Sequence, residues 1–144
     1  MKRNLIGILS LLVMSLLFNA TGVYAQSYAK ADVPFAFKVG SAQLPAGTYE
    51  VKVASAGANS IMIQNDQTSA AALSLARHEY PRNTGAKLVF HHVGGQFFIA
   101  EIWSSPGSYG MIVPTSKQEK ELEKELQLAQ GPSGGHEEVI VAFN

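Results

Sequence analysis

The chain has 144 residues, 11 Lys+Arg against 11 Asp+Glu, four His and no Cys. That length suits one domain with a real core. The lack of Cys excludes disulfides, thiol chemistry, haem attachment through Cys and iron–sulfur clusters, and the balanced charge offers no basic face for a nucleic-acid partner.

Lys2 and Arg3 precede an apolar run over residues 5–18, broken only by Gly7, Ser10 and Ser15, and the segment then ends in Val23-Tyr24-Ala25. This is the three-part layout of a secretory signal peptide, with small residues at the −3 and −1 positions of a cut after Ala25. The run is shorter than the roughly 20 apolar residues of a spanning helix, so no stable membrane anchor is expected after cleavage. No Cys follows it, which excludes a lipoprotein anchor. The expected location is secreted or periplasmic. Loss of Lys2 and Arg3 leaves nine basic residues against 11 acidic, a net charge of −2.

From Ala31 the pattern turns to short strands. Residues 33–40 read as one strand with Val33, Phe35, Phe37 and Val39 on one face, and Pro34 marks a start at a sheet edge. Pro45 and Gly47 form a tight turn, because proline fixes φ and glycine permits what other residues resist. Tyr49, Val51 and Val53 then alternate with Thr48, Glu50 and Lys52, the mark of a half-buried strand. Residues 54–59 read as a Gly/Ala/Ser loop, 60–64 as a strand, and 65–67 as the turn that closes it. Residues 70–76 have helical propensity but are short and lie among strands, so strand is expected. Residues 78–85 read as a polar loop.

Residues 87–103 are the most apolar stretch outside the N-terminus and read as one hairpin. The Gly94-Gly95 pair suits a primed turn, which needs positive φ. Residues 104–108 are a turn and 109–113 a further strand. Turn signals recur at roughly ten-residue spacing without a strong amphipathic helix, which favours an all-β fold, an antiparallel β-sandwich or small barrel, over βαβ units. After Pro114 the character changes. Ser116 and Glu119 form a capping box ahead of a charged helix at residues 117–130, whose apolar stripe is Leu122, Leu126 and Ala129. Residues 131–135, Gly-Pro-Ser-Gly-Gly, stop the helix and form a linker to a terminal strand at 137–144. The expected organisation is a signal peptide at 1–25, a sandwich domain at 26–114, a charged helix at 115–130, and a linker with terminal strand at 131–144.

The phrases Val33-Pro34-Phe35-Ala36-Phe37 and Leu44-Pro45-Ala46-Gly47-Thr48-Tyr49-Glu50-Val51, with Leu88-Val89-Phe90-His91 and Glu101-Ile102-Trp103 in that order, resemble a family of small secreted bacterial proteins of unknown function. That family is built around V-P-F-x-F and L-P-A-G-x-Y-x-V, and the resemblance spans about residues 33–113. The second phrase alone is also similar to a turn of transthyretin-like and carboxypeptidase-regulatory-like sandwich domains. Both resemblances imply an antiparallel sandwich, and neither implies an active site.

The hairpin carries the residues with most chemical interest. A Gly94-Gly95 turn pairs His92 with Phe97 and His91 with Phe98. Strict alternation then groups Leu88, Phe90, His92, Phe97, Ile99, Glu101 and Trp103 on one face, and Lys87, Val89, His91, Phe98, Ala100 and Ile102 on the other. The Trp103 face is expected to be the core. Adjacent His91 and His92 point to opposite sides and cannot share an ion from a regular strand. A zinc site needs three or four converging ligands. His78, one of these histidines and Glu101 would converge only through the fold. No metal and no cofactor is therefore expected.

Glu101 either reaches solvent at a strand end or forms a buried ion pair with Arg77, His78 or Arg82. No second carboxylate accompanies it, as a glycosidase would require, and no nucleophile or phosphate-loop motif is present. No catalytic residue is expected. Trp103, Tyr109 and Tyr80 border loops and are the candidates for stacking on a sugar or another small ligand. Val139, Ile140, Val141 and Phe143 form a tethered apolar strand that can close its own sheet or add to a neighbour's. The expected function is a non-enzymatic structural or protein-interaction domain that assembles with itself by strand addition, with ligand binding through loop aromatics as the alternative.

Overall fold

The computed structural model describes residues 27–53, 59–131 and 135–144. The expected signal peptide, most of the 54–59 loop and the centre of the 131–135 linker lie outside these residues. Among the described residues eleven strands and one helix follow in order: β1 (Ser27–Val33), β2 (Phe37–Val39), β3 (Ala42–Leu44), β4 (Gly47–Val53), β5 (Ser60–Asn65), β6 (Ala71–Leu75), β7 (Arg77–Glu79), β8 (Lys87–Val93), β9 (Gln96–Trp103), β10 (Gly110–Ile112), α1 (Lys117–Gln130) and β11 (Glu137–Ala142). The fold is an all-β sandwich with one helix near its C-terminal end.

One sheet has the order β1-β4-β5-β6 and is antiparallel throughout. The other has the order β11-β8-β9-β10-β7. The free side of β9 is shared: its first half takes β2 in parallel, with β3 beyond, and its second half takes β10. Residues 33–40, expected as one strand, are two. Pro34 lacks a ladder donor and ends β1 instead of opening a strand, and the chain crosses there from one sheet to the other. Val33 and Phe37 nevertheless both reach the common core. The opposite margin is also spanned. β6 runs through buried Ala76 into β7, in the second sheet. Residues 77–79 are thus a strand, where a loop was expected from residue 78 on. Beside β1, the Asn144 N–H donates to the Lys30 carbonyl at 2.8 Å, tying the end of the second sheet to the edge of the first.

The core lies between the sheets. Phe37 packs edge-to-face on Tyr49 (5.0 Å between centroids) and on Phe90 (5.2 Å), while Phe35 stacks on Phe97 at 3.9 Å. The edge-to-face contacts of Phe37 suit the ring quadrupole. The two phrases that carry the sequence resemblance therefore form one packing unit: Phe37 pairs with Leu44 across β2–β3 and rests on Tyr49. The Tyr49 hydroxyl, fully buried, donates to the Pro45 carbonyl at 2.7 Å and closes the turn over itself. Gly47 is required there by proximity, since a Cβ would lie 2.6 Å from Asn65 Nδ2. Asn65 is itself buried, and its Oδ1 accepts from the Gln67 and Thr68 N–H groups at 2.9 Å each, forming the turn after β5.

The central hairpin has the expected turn and register. Gly94 and Gly95 have φ of 56° and 77°, and His92 pairs with Phe97 and His91 with Phe98. The expected faces hold only in part. Pairing jumps from Phe90–Ile99 to Val89–Glu101, leaving Ala100 without a partner in β8, while on its other side its carbonyl accepts from the Val113 N–H at 2.8 Å. This bulge shifts the alternation by one residue. Leu88, Phe90, Ile99 and Ile102 enter the inter-sheet core, whereas Trp103 is buried outside that cluster. Trp103 and Glu101 thus lie with Val89 and His91 on the side facing away from the first sheet. That side is covered too. Helix α1 crosses it at Gly94, where Leu122 leaves no room for a side chain, and Arg82 lies 5.3 Å over the Trp103 ring.

Candidate functional site

Of the residues expected to meet a ligand, Trp103 is placed least as expected. It is 1% exposed, with one edge against Gly110 and the Arg82 guanidinium over its ring, so no face is left for a sugar. Its indole N–H donates to Glu101 Oε2 at 2.7 Å. That bond answers the question posed by Glu101. The half-buried carboxylate is held by an indole, and among the described residues no ion pair with Arg77, His78 or Arg82 forms. Tyr80 and Tyr109 are exposed, at 79% and 59%. Glu79 pairs with Gly110, so the next residues out along the ladder are these two tyrosines, and His78 meets Tyr109 edge-on at 6.3 Å.

The terminal strand is seated on its own chain. β11 pairs antiparallel with β8 from Glu137–His92 to Ala142–Lys87. Val139, Val141 and Phe143 pack against the core, while Ile140 points outward, 57% exposed. Asn144 fastens the end, its Nδ2 donating to Asp32 Oδ2 at 2.7 Å. Among the described residues β11 is the last strand of its sheet, and its outer side meets β1 only past its end, through the Asn144 N–H to the Lys30 carbonyl.

A further group forms where β8, α1 and the lead into β11 meet. The α1 N-terminus is built as expected: Ser116 Oγ accepts from the Glu119 N–H at 3.1 Å, and Glu119 Oε2 reaches back to the Ser116 N–H at 3.4 Å. The other oxygen of this buried carboxylate lies 2.7 Å from His91 Nδ1. Glu119's hydrogen bond, opposed by burial and reinforced by the charges of Glu119, Glu123 and Glu138, holds His91 above the usual histidine pKa. One turn along the helix, Glu123 Oε1 lies 2.9 Å from His136 Nδ1. The rings of His91 and His136 stack at 3.8 Å with 25° between planes. One donor atom each from His91, Glu123 and His136 lies within 4.8 Å of the others. The combination weighed from sequence, His78 with His91 or His92 and Glu101, forms no such group among the described residues.

Glu123 and His136 escape a sequence reading for a definite reason. The face that α1 turns to the sheet is Glu119, Leu122, Glu123 and Leu126, all buried or half-buried, whereas Ala129 is exposed. A search for apolar periodicity sees the two leucines and passes over the acids between them. The i, i+4 spacing of the two glutamates beside Leu122 is the one signal available.

A shallow cleft of about 230 Å³ between β2 and the β8–β9 turn is lined by Phe37, Lys38, Gln43, Gln96 and Phe97 among others, and gathers no carboxylate or histidine. No helix among the described residues is long and apolar enough to cross a membrane. No family model, curated protein or solved structure matches the chain.

Proposed function

We propose that this chain is a secreted, non-enzymatic structural or protein-interaction domain that self-assembles through β11. The observation that carries the reading is the position of that strand. It ends its sheet, its outward face carries the exposed Ile140, and it follows a Gly-rich sequence of the kind that lets the same strand seat on another copy's β8. Exchange of this kind repeats the intramolecular register, so it forms the same contacts at little cost beyond the entropy of association. The N-terminal signal-peptide pattern supports export, and the sheet edge supports strand addition as the mode of contact. The test is the solution mass of the chain from Gln26 onward over a range of concentrations, alongside a chain lacking residues 131–144. Concentration-dependent oligomers that vanish in a still-folded truncated chain support the proposal. A wild-type chain that stays monomeric at every concentration sinks it.

A second reading rests on Tyr80 and Tyr109, two exposed aromatics side by side at the β7–β10 end. They offer a stacking platform for a sugar ring without Trp103. Carbohydrate binding that disappears in Tyr109→Ala and survives loss of residues 131–144 would favour it.

A further inference from the structure

We propose that His91, Glu123 and His136 bind one divalent transition-metal ion of the zinc type, and that Glu119 holds His91 in position for it. The three ligands come from a strand, a helix and the segment entering β11, and their donor atoms already lie within 4.8 Å of one another. Two imidazoles and a carboxylate are the donor set of zinc and its neighbours rather than of calcium, which takes oxygens. The fourth position is left to water.

The surroundings fit this role. Glu119 engages Nδ1 of His91, so Nε2 is the nitrogen left for the ion. A carboxylate on the far nitrogen of a ligating histidine fixes the tautomer and raises ligand basicity. Glu119 is 3% exposed and fastened by its own capping box, so its position is defined before any ion arrives. Glu123 and His136 face each other at 2.9 Å, a separation close to that of two ligands sharing one ion. The ion replaces the proton between them, which leaves to solvent. The stacked rings present faces, not edges, to each other, so His136 must turn to bring its lone pair onto the ion. It is the most exposed of the three, with 37% of its side chain accessible beside 19% for His91 and 23% for Glu123, and it has room to do so. A bound ion would tie β8, α1 and the start of β11 together, a cross-link in a chain that has no Cys.

The test is zinc titration of the purified protein after chelator treatment, read by calorimetry and by melting temperature, with cobalt(II) as a spectroscopic probe. One saturable zinc per chain and a raised melting temperature are expected. His136→Ala and Glu123→Gln, both outside the core, are each expected to weaken binding at least tenfold with the fold intact. Glu119→Gln is expected to weaken it roughly 10- to 100-fold, as loss of an outer partner does. The proposal fails if zinc binding is not saturable, if calcium binds as tightly as zinc, or if both His136→Ala and Glu123→Gln bind zinc like the wild type. It also fails if His78→Ala or His92→Ala removes binding while His136→Ala does not.

Discussion

Trp103 and Gly110 face each other as a directly paired couple across β9 and β10, and the indole fills the space that a side chain at residue 110 would need: an added Cβ would come within 2.6 Å of the ring. Gly110→Ala must therefore push the ring away or bend the ladder. Overpacking of this kind costs about 1–3 kcal/mol. Trp103 is the single tryptophan, so its emission reports the displacement directly. A denaturation midpoint and emission maximum equal to those of the wild type would show that the ring does not depend on that glycine.

Tyr49→Phe keeps the ring against Phe37 and deletes only the hydroxyl that donates to the Pro45 carbonyl. The expected loss is about 1 kcal/mol, the net worth of one hydrogen bond. Phe37→Ala empties the centre of the same unit and should cost about 3–5 kcal/mol. Urea unfolding of both variants checks the ranking. Equal losses would mean that the turn, not the ring cluster, dominates this corner.

Neighbouring residues of β11 separate packing from assembly. Val141 packs on the core and Ile140 points outward. Val141→Asp should destabilise the fold by more than about 2 kcal/mol, through loss of apolar contact and burial of a charge. Ile140→Asp should leave stability within about 0.5 kcal/mol and, because strand exchange repeats the intramolecular contacts, leave the solution mass as in the wild type. Thermal melts paired with light scattering distinguish the two. A shift toward monomer in Ile140→Asp would mean that the outer face of β11, and not exchange of the strand, carries the assembly.

The His91–Glu119 contact sets a pH dependence. The folded pKa of His91 lies above its ordinary value of 6.5, mainly through the Glu119 hydrogen bond, with burial opposing and Glu123 and Glu138 adding to it; His136 stacks on the same ring. A group raised in this way binds its proton more tightly in the folded chain. Its contribution to stability is fully present below the unfolded value of about 6.5 and fades as pH rises through the folded value. Metal-free protein should therefore lose stability as pH rises above about 6.5, and Glu119→Gln should flatten that loss. NMR titration of the His91 ring tests the cause: a midpoint at or below the ordinary histidine value would refute it.

The hairpin's turn and register could be read from sequence because positive φ at two successive positions leaves almost no choice but Gly94-Gly95, and the register then follows by counting. The alternation of hydrophobic residues marked the strands for the same kind of reason. The sidedness of Trp103 and Glu101 could not be read, because Ala100 looks like any small strand residue and nothing in its chemistry announces a bulge. The break at Pro34 was half legible: proline says that pairing is interrupted, but not whether a strand starts or stops there. Glu119, Glu123, His91 and His136 lie on three elements, and only tertiary packing brings them together. A helix face that turns acids inward defeats any reading that equates burial with apolarity.

Ala100 has one further consequence. As the bulge residue without a partner in β8, it acts as a phase shift between the two halves of β9. Deleting it would restore strict alternation with its neighbours on their present sides, because Phe90–Ile99 and Val89–Glu101 are already successive pairs: Ile99 and Ile102 would stay in the core, Glu101 and Trp103 outside it. The loss would be confined to the local bend and twist that a bulge adds and to the Ala100 carbonyl's bond from the Val113 N–H. Deleting Ile102 instead would carry the Trp103 indole or the Glu101 carboxylate into the interior. Lineages of this fold should therefore vary in length at residue 100 more readily than at residue 102.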